Sequence, residues 1–399
     1  MKVVVAGGGI GGLAAAIAIS RVGHEVVVCE RAGGYREVGA GIQISANAAR
    51  HLESWGLGDS YRRVAVAPSR IVIRRWSDDT VLRNMTLGES YARRYHHPYT
   101  NVHRHDFLTV LARSLRSQSR VQVIFGADVV GVDQSASAVT LQLADGTAVE
   151  GDAVIGADGI HSAVRTALFG RTPSRFSGAV AYRALVPREL VRDAPVEVTN
   201  RLGPDSHVVT YFVGENASHL NMVCVVPESS WDVESWTERG SVADLKAAFN
   251  GWSEELTGLL DLVAEPVFRW ALHDREPLDQ WGRGRVTLLG DACHPMLPFM
   301  AQGACQAIED AATLADTLAS LEEGPIRSTD IEAALRSYEQ RRRPRATKVQ
   351  RLSWANRTAY HLPDGDAQCR RDDAYVAMGD STEALDWLYG HDSASTGTQ

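Results

Sequence analysis

The chain opens with a short apolar stretch that runs directly into a cluster of glycines. Residues 3–6 have the pattern of a buried strand, and Leu13 begins a run with the pattern of a helix. Between them, Gly7, Gly9 and Gly12 form the sequence G-x-G-x-x-G. The first glycine of this motif allows a tight turn, the second lets a pyrophosphate approach the backbone, and the third lets helix and strand pack closely. The opening of the chain therefore predicts a strand–turn–helix unit that binds a dinucleotide.

The residues that follow the glycines strengthen this prediction. A second apolar strand pattern, at residues 25–29, ends in Glu30, which lies 23 positions after Gly7. An acidic residue at about this spacing binds a ribose hydroxyl in dinucleotide-binding units. A glycine-rich turn in an ordinary βαβ unit requires no such acid, so we favour the dinucleotide interpretation.

Composition and charge narrow the class of protein. Of the 399 residues, 44% are hydrophobic and 23% are charged, as in a globular protein. The net charge of −8 argues against nucleic acid or an anionic membrane as a partner. No run of about 18 apolar residues predicts a membrane span, and the five cysteines are scattered without a C-x-x-C pair. We therefore expect a cytoplasmic protein without a metal site, a nucleic-acid partner or a membrane partner.

Patterns along the chain predict a nucleotide-binding domain that is interrupted and then resumed. Apolar strands and helices alternate in its parts, whereas the interruptions are rich in alternating, β-type sequence. We predict nucleotide-binding segments at residues 1–69, 101–175 and 275–330, and segments of a β-rich substrate domain at residues 70–100 and 176–274. Residues 331–399 are predicted to form C-terminal helices and a disordered tail that begins at Ser393.

Two further motifs lie at the predicted ends of later strands. Asp158 follows an apolar strand and precedes a glycine, which is a place where a carboxylate and the backbone can meet a nucleotide. Asp291 ends another apolar strand and can bind a polyol hydroxyl. Gly303 and Ala304 precede a strong helical pattern, and the N–H groups at a helix start stabilise negative charge. The structural alternatives are a plain Asp-Gly turn and a Pro/Gly-rich connector.

Together, the three motifs resemble those of the class A flavoprotein aromatic hydroxylases, the para-hydroxybenzoate hydroxylase superfamily. The resemblance covers nearly the whole chain, and within the superfamily it is strongest to salicylate, 3-hydroxybenzoate and above all 6-hydroxynicotinate hydroxylases. Supporting stretches lie at residues 38–47, 103–107, 155–162 and 298–311. The resemblance implies an α/β fold in which a glutathione-reductase-type FAD-binding Rossmann domain is interrupted by a β-sheet substrate domain and followed by C-terminal helices.

The resemblance also implies one FAD per chain, with NADH or NADPH as a transient co-substrate. The presence of a single phosphate-binding glycine motif fits this arrangement. The residues implied to hold FAD are Gly7, Gly9, Gly12, Glu30 and Arg31 for the ADP half, Arg104 for the pyrophosphate or ribityl chain, Val129 for the adenine side, Asp158 and Arg165 near the phosphates, Asp291 for a ribityl or ribose hydroxyl, and Gly303 and Ala304 for the isoalloxazine ring.

The implied activity is that of an FAD-dependent monooxygenase. NAD(P)H reduces FAD, O₂ adds to the flavin C4a to give a hydroperoxide, and the distal oxygen attacks an electron-rich ring carbon. The expected substrate is a small aromatic compound of the salicylate, hydroxybenzoate or hydroxypyridine type, and decarboxylation can accompany its hydroxylation. The protein must exclude water and help to remove a phenolic proton. We expect a monomer or a homodimer.

A strand pattern at residues 206–213 contains two candidate catalytic residues. Side chains alternate between the two faces of a strand, so His207 and Tyr211 share one face. The pattern does not say whether that face lines the pocket. By resemblance to the hydroxynicotinate enzymes, Tyr211 acts as a base or as a hydrogen-bonding group.

Two positions differ from the hydroxynicotinate enzymes, which have histidines where this chain has Gln43 and Phe299. Glutamine can hydrogen-bond but cannot act as a base at neutral pH, and phenylalanine offers an aromatic wall to a ring. We therefore expect a substrate other than 6-hydroxynicotinate itself. The predicted pocket consists of Gln43, His207, Tyr211, Pro298 and Phe299, with Tyr211, His207 and Gln43 as the catalytic residues.

Two other functions remain open at this point. A secondary-metabolite oxygenase of the same fold would oxidise a bulkier substrate, and a flavin-binding protein without oxygenase activity would bind FAD alone.

Two features of the sequence that contain arginine have structural interpretations. Arg183 can meet a substrate carboxylate, although a strand arginine more often supports the fold, and the basic run at residues 340–345 predicts a solvated helix end rather than a nucleic-acid patch.

Overall fold

The computed structural model describes residues 1–35, 41–231, 238–321 and 326–393. Its strands are β1 (Lys2–Ala6), β2 (Glu25–Glu30), β3 (Gly41–Ile44), β4 (Ala65–Val66), β5 (Arg70–Arg75), β6 (Val81–Thr86), β7 (Thr100–His103), β8 (Val121–Phe125), β9 (Val129–Gln134), β10 (Val139–Leu143), β11 (Ala148–Gly151), β12 (Ala153–Gly156), β13 (Arg175–Pro187), β14 (Val198–Gly203), β15 (Ser206–Val213), β16 (His219–Pro227), β17 (Glu238–Gly240), β18 (Val267–Asp274), β19 (Gly282–Arg283) and β20 (Val286–Leu288). Its α-helices are α1 (Ile10–Arg21), α2 (Ala46–Ser54), α3 (Gly58–Arg62), α4 (Gly88–Tyr95), α5 (Arg104–Leu115), α6 (Ala163–Phe169), α7 (Val242–Ala248), α8 (Glu254–Asp261), α9 (Gly303–Ala319), α10 (Ser328–Tyr360), α11 (Asp366–Met378) and α12 (Asp386–Tyr389). The tail after residue 393, for which disorder is predicted, lies outside the described residues.

The first layer is a six-stranded sheet in the order β19-β20-β12-β1-β2-β8. Its strands are parallel except for β19, which is antiparallel to β20. Alternate side chains of β1 reach both faces of the sheet, because Val5 lies against Gly12 of α1 and Val4 lies against Gly151 of the meander β9-β10-β11. Helices α5 and α9 pack on α1. Burial on both faces explains why these strands are apolar almost throughout.

The second layer is an eight-stranded sheet in the order β17-β18-β13-β16-β15-β14-β5-β6. Of its described pairs, only β5 and β14 run parallel. Val208 and Phe212 lie on the face that packs against the apolar side chains of α7 and α8. Because side chains alternate along β15, His207 and Tyr211 lie on the opposite face. That face packs against β3 and against the segment before α9.

A small sheet in the order β3-β7-β4 lies beside the second layer, and all three of its strands contact β15. Helix α10 spans 33 residues and packs on α9 and on the short 3-10 helix Pro298–Met300. Helix α11 packs on β6 at the far end of the eight-stranded sheet. The C-terminal helices therefore lie next to the face that carries His207.

The prediction of an α/β fold with an inserted β-rich part and C-terminal helices is confirmed. The strands β5 and β6, in the predicted insertion at residues 70–100, belong to the eight-stranded sheet. The domain boundaries stay predictions. Within the described residues, no helix is both long enough and apolar enough to cross a membrane.

The prediction of a solvated helix end at residues 340–345 is wrong. This run lies in the interior of α10, and Arg342 is 1% exposed. Its guanidinium meets two carboxylates of α9, with Nε 2.7 Å from Asp310 Oδ1 and Nη1 2.5 Å from Glu309 Oε2. The buried carboxylates of Glu309 and Asp310 require a positively charged partner, and Arg342 of α10 is that partner.

Candidate active site

The glycine motif forms the turn between β1 and α1. Gly7 has a positive φ of 99°, and α1 begins directly after Gly9. A Cβ at Gly12 would lie 1.9 Å from the Gly7 carbonyl oxygen, and a Cβ at Gly7 would lie 2.4 Å from the Ala157 oxygen. In contrast, a Cβ at Gly9 would meet no atom within 4 Å. Two glycines therefore pack the turn against the protein, and the third leaves the helix start open to a ligand.

Glu30 ends β2 beside this turn. Its Oε2 accepts a hydrogen bond of 2.6 Å from Gly8 N, so the carboxylate lies at the glycine loop. The backbone oxygen of Glu30 accepts a hydrogen bond of 2.9 Å from Ala127 N. This contact brings the turn that precedes Val129 to the same edge of the sheet, where Arg31 is exposed.

Two carboxylates follow the neighbouring strands β12 and β20. Asp158 Oδ2 accepts hydrogen bonds of 2.8 and 3.2 Å from Ala163 N and Val164 N. Its Oδ1 is buried without a partner in the described part of the chain. Asp291 is exposed, and its carboxylate interacts with the positive charge of Arg104.

The start of α9 lies at the same edge. Gln302 accepts a hydrogen bond of 3.1 Å from Asn47 Nδ2 and donates one of 2.9 Å to Ser45 Oγ, which holds the residue before the helix. A Cβ at Gly303 would meet no atom within 4 Å. Gly303 and Ala304 therefore offer an open helix start, which suits a negatively charged or electron-rich group.

These features converge on one edge of the six-stranded sheet. The half-buried Arg104 side chain interacts with the charges of both Asp291 and Glu30, so it is near both carboxylates. Ligands of open α/β sheets bind at the carboxyl ends of the parallel strands. The open positions at Gly9 and Gly303 fit a dinucleotide whose phosphates lie at the start of α1.

Tyr211 lies on the inner face of the eight-stranded sheet, directly under β3. A Cβ at Gly41 would lie 2.4 Å from Tyr211 Cε2. Asn221, the cross-strand neighbour of Tyr211, accepts a hydrogen bond of 3.1 Å from Gly41 N. Burial raises the pKa of Tyr211, against the opposing charge of Arg183. The tyrosine is therefore protonated at neutral pH, and its hydroxyl can donate a hydrogen bond.

Several amide atoms near β3 have no partner in the described part of the chain. Tyr99 Oη donates a hydrogen bond of 2.9 Å to Gln43 Oε1, but the Gln43 Nε2 donor is buried without a partner among the described residues. Asn221 Nδ2 and both polar side-chain atoms of Asn101 are also buried without a partner among the described residues. Asn101 lies opposite Gln43 in the β3–β7 pair. Buried polar groups are nearly always bonded, so this cluster is a candidate ligand site.

Arg183 lies on the same face of the sheet, two strands from Tyr211. Its guanidinium carbon is 3.4 Å from the centre of the Trp270 ring, and its Nε is buried without a partner in the described part of the chain. Burial lowers the pKa of Arg183 to about 9. The side chain therefore stays positively charged at neutral pH and can bind an anion.

Phe299 supplies an aromatic wall next to His207. The two rings are T-shaped, with centroids 5.0 Å apart, and the Phe299 oxygen accepts a hydrogen bond of 3.0 Å from Asn356 Nδ2. Pro298 begins the same 3-10 helix but is exposed. Burial lowers the pKa of His207 well below its usual value, and His361 lowers it further.

Comparison with known proteins identifies the family. Residues 1–353 match the family described as FAD binding domain. A 3-amino-4-hydroxybenzoate 2-monooxygenase of Streptomyces platensis is 40% identical over 405 residues, which cover 100% of this chain and 98% of that protein. The chain belongs to the FAD-dependent aromatic monooxygenases.

Two further relatives of this monooxygenase agree with the assignment. The 6-hydroxynicotinate 3-monooxygenase of Pseudomonas fluorescens is 37% identical over 362 residues, which cover 89% of this chain and 91% of that protein. The solved substrate complex of a salicylate hydroxylase superposes with a TM-score of 0.83 at 28% identity and covers 100% of this chain and 98% of that chain. The predicted family, the enzyme class and FAD as cofactor are confirmed.

Several residues of the monooxygenase pocket were not predicted from sequence. Asn221 interrupts an apolar strand pattern, and this lone polar residue is a signal that could have been used. The sequence carries no comparable signal for the other residues, because strand register and long-range packing bring them to the site. They are Tyr99, Asn101, Trp270, Asn356, Tyr360 and His361.

Proposed function

We propose that this monooxygenase hydroxylates a small aromatic acid with a ring hydroxyl, and that an aminohydroxybenzoate is the leading case. The observation that carries the proposal is the set of buried donors without described partners, Arg183 Nε, Gln43 Nε2 and Asn221 Nδ2. A charged guanidinium fits a carboxylate, and amide donors fit a ring oxygen. The aromatic wall at Phe299 fits the face of a benzene ring. The 40% identity to a 3-amino-4-hydroxybenzoate 2-monooxygenase supports the same substrate class.

In this proposal, bound FAD supplies the activation of O₂ with electrons from NADH or NADPH. Arg183 binds the carboxylate, Tyr211 donates a hydrogen bond to the ring oxygen, and Phe299 keeps water from the ring. The residues proposed to hold FAD are Gly7, Gly9, Gly12, Glu30, Arg31, Arg104, Val129, Asp158, Asp291, Gly303 and Ala304. Their common edge on the six-stranded sheet supports this assignment.

A panel of substituted benzoates, phenols and pyridines tests the substrate class. NADH or NADPH oxidation by the FAD-loaded protein should accelerate most with 3-amino-4-hydroxybenzoate or a related hydroxybenzoate. The product mass should show one added oxygen atom, with or without loss of CO₂. Preference for 6-hydroxynicotinate would contradict the proposal, and turnover of bulkier substrates alone would favour a tailoring oxygenase. A yellow protein without aromatic-dependent oxidation would favour a flavin-binding role.

Replacing Arg183 with glutamine should raise KM for the aromatic acid about 10- to 100-fold, because a hydrogen bond to a charged group contributes about 1.5–3 kcal/mol. The corresponding phenol without a carboxylate should show the same KM with both proteins. Arg269→Gln is the matched control, since Arg269 pairs with Tyr182 on the outer face of the same sheet. Equal KM values for the acid in the wild type and Arg183→Gln would contradict carboxylate binding at this position.

Replacing Tyr211 with phenylalanine should lower the product formed per NAD(P)H at least about tenfold, because the ring oxygen loses a hydrogen bond, and a hydrogen bond to a charged group contributes about 1.5–3 kcal/mol. Hydrogen peroxide should account for the missing product, while FAD stays bound. Tyr182→Phe, on the face that packs against α7 and α8, is the control. Product yield and peroxide are measured together, and unchanged coupling in Tyr211→Phe would remove the tyrosine from the mechanism.

We also propose a cytoplasmic location and a monomeric or homodimeric state. All five cysteines are free, and four of them are buried, which supports a reducing compartment. Size-exclusion chromatography with light scattering tests the assembly, and a tetramer or larger species would contradict it.

A further inference from the structure

A second histidine contacts His207 from the end of helix α10. His207 Nδ1 and His361 Nε2 are 2.7 Å apart, and the two ring centroids are 4.9 Å apart. His207 is 2% exposed, whereas His361 is half-buried directly after the last residue of α10. The pair therefore leads from the buried inner face of β15 towards the outside of the protein.

Three neighbouring groups hold the pair in place. The Tyr360 ring packs against His207 with centroids 5.5 Å apart, and the Phe299 ring packs against His361 with centroids 5.7 Å apart. The backbone oxygen of His361 accepts a hydrogen bond of 3.3 Å from the N–H of Asp205, in the turn before β15. Helix α10, the segment before α9 and the β14–β15 turn thus meet at the two imidazoles.

Both imidazoles are neutral at neutral pH. Burial, together with the charge of Arg357 on α10, lowers the pKa of His361 to about 4, and the pKa of His207 is also well below its usual value. The further titratable groups that interact with Tyr360 are Tyr375 of α11, Tyr389 of α12 and Arg83 of β6. In a neutral pair one ring nitrogen donates and the other accepts, so the contact couples the tautomers of the two rings.

We propose that His207 and His361 form a proton path that carries the proton of a bound substrate's ring hydroxyl to solvent. This inference rests on the proposed function. The substrate O–H bond breaks as Nε2 of His207 gains a proton, Nδ1 of His207 passes its proton to Nε2 of His361, and Nδ1 of His361 releases one to water. One proton leaves and no electrons are transferred. The ring is left as a phenolate, which reacts more readily with an electrophilic oxygen.

Replacing His361 with glutamine tests the path in the FAD-loaded protein. Glutamine can hydrogen-bond but cannot relay a proton. Stopped-flow absorbance should show that 3-amino-4-hydroxybenzoate ionises in the pocket about 10- to 100-fold more slowly than in the wild type. In His361→Ala, added imidazole should restore the rate. His273→Gln is the matched control, because His273 is half-buried on the outer face of β18, three strands away from β15 in the same sheet, and should leave the rate unchanged.

Three results would overturn the proposal: wild-type ionisation in His361→Gln, equal slowing in His273→Gln, or no rescue of His361→Ala by imidazole. Failure of the proposed function is seen separately, as a wild-type protein without aromatic-dependent NAD(P)H oxidation. In that event, nitrogen NMR of the histidine rings tests the proton path directly. Coupled titration of the His207 and His361 rings, lost in His361→Gln, supports the path, and His207 signals that are indifferent to position 361 contradict it.

Discussion

Replacing Gly12 with alanine should yield a protein that no longer retains FAD through purification. The added Cβ would lie 1.9 Å from the Gly7 carbonyl oxygen and 3.0 Å from its carbon, and these backbone atoms cannot rotate away. Relief requires α1 to move from β1, which opens the turn proposed to bind the pyrophosphate. Overpacking costs about 1–3 kcal/mol and sometimes more, so the apoprotein should also unfold at a lower temperature. The ratio of flavin to protein absorbance and circular dichroism melting measure the two effects.

Replacing Gly9 with alanine should weaken FAD binding without destabilising the fold. A Cβ at Gly9 meets no atom within 4 Å, so Gly9→Ala should change apoprotein stability by no more than about 0.5 kcal/mol. It should still weaken FAD binding, because the methyl group would occupy the space beside the start of α1. Gly258→Ala, on α8, is a control that also meets no atom within 4 Å. Wild-type FAD retention in both the Gly9 and Gly12 variants would contradict the proposed pyrophosphate position.

Replacing Arg342 with methionine should lower the free energy of unfolding by about 3–5 kcal/mol, the cost of removing one partner from a buried ion pair. Arg342 bonds Glu309 and Asp310, and all three side chains are at most 1% exposed. Asp310 also accepts a hydrogen bond of 3.0 Å from Gly290 N. Loss of the guanidinium should therefore disturb the turn at Asp291 and weaken FAD binding as well. Urea unfolding and flavin retention measure both.

The stability difference between wild type and Arg342→Met should shrink as the pH falls below about 5, where an unperturbed glutamate begins to bind protons. In the wild type, burial raises the pKa of Glu309, but the charges of Arg342 and Arg345 outweigh it, so the pKa lies well below its usual value. A lowered carboxyl pKa contributes stability that is present above the pKa of the unfolded chain and is lost as the pH falls. The variant lacks the contribution of Arg342 to this effect, so acid removes less stability from the variant than from the wild type.

Arg341→Met is the matched control for this prediction. Arg341 is the neighbouring residue on α10, and it pairs with Asp316 with both side chains about 30% exposed. Exposed pairs contribute about 0–1 kcal/mol, so this variant should remain close to the wild type. A similar loss in both variants would show that α10 tolerates no change here, and a loss below about 1 kcal/mol in Arg342→Met would contradict the role given to the buried pair.

The glycine loop was predictable because its requirements are local. The positive φ at Gly7 and the close contact at Gly12 depend on atoms within the first turn and on the neighbouring strand end at Ala157. Glu30 follows at a fixed distance along the same βαβ unit. The family resemblance then extended this local reading to FAD and to the enzyme class.

The pocket face was not predictable from the strand alone. Side chains alternate along a strand, so His207 and Tyr211 share one face and Val208 and Phe212 share the other. This alternation does not say which of the two faces binds a ligand. The amphipathic helices α7 and α8 cover the face of Val208 and Phe212, so the proposed pocket is assigned to the opposite face. The other face remains for β3 and the Phe299 segment.

The chain's own sequence determined the dinucleotide-binding turn, the α/β alternation and the placing of His207 and Tyr211 on one strand face, because short-range sterics and strand periodicity set these features. The resemblance of its motifs to a known family supplied FAD as the cofactor. Only the tertiary structure decided that Arg342 is buried, that the amide nitrogens of Gln43 and Asn221 lack partners among the described residues, and that His361 contacts His207. Each of these depends on a partner from a distant part of the chain, and charge or hydrogen-bond complementarity across such separations leaves no periodic mark in the sequence.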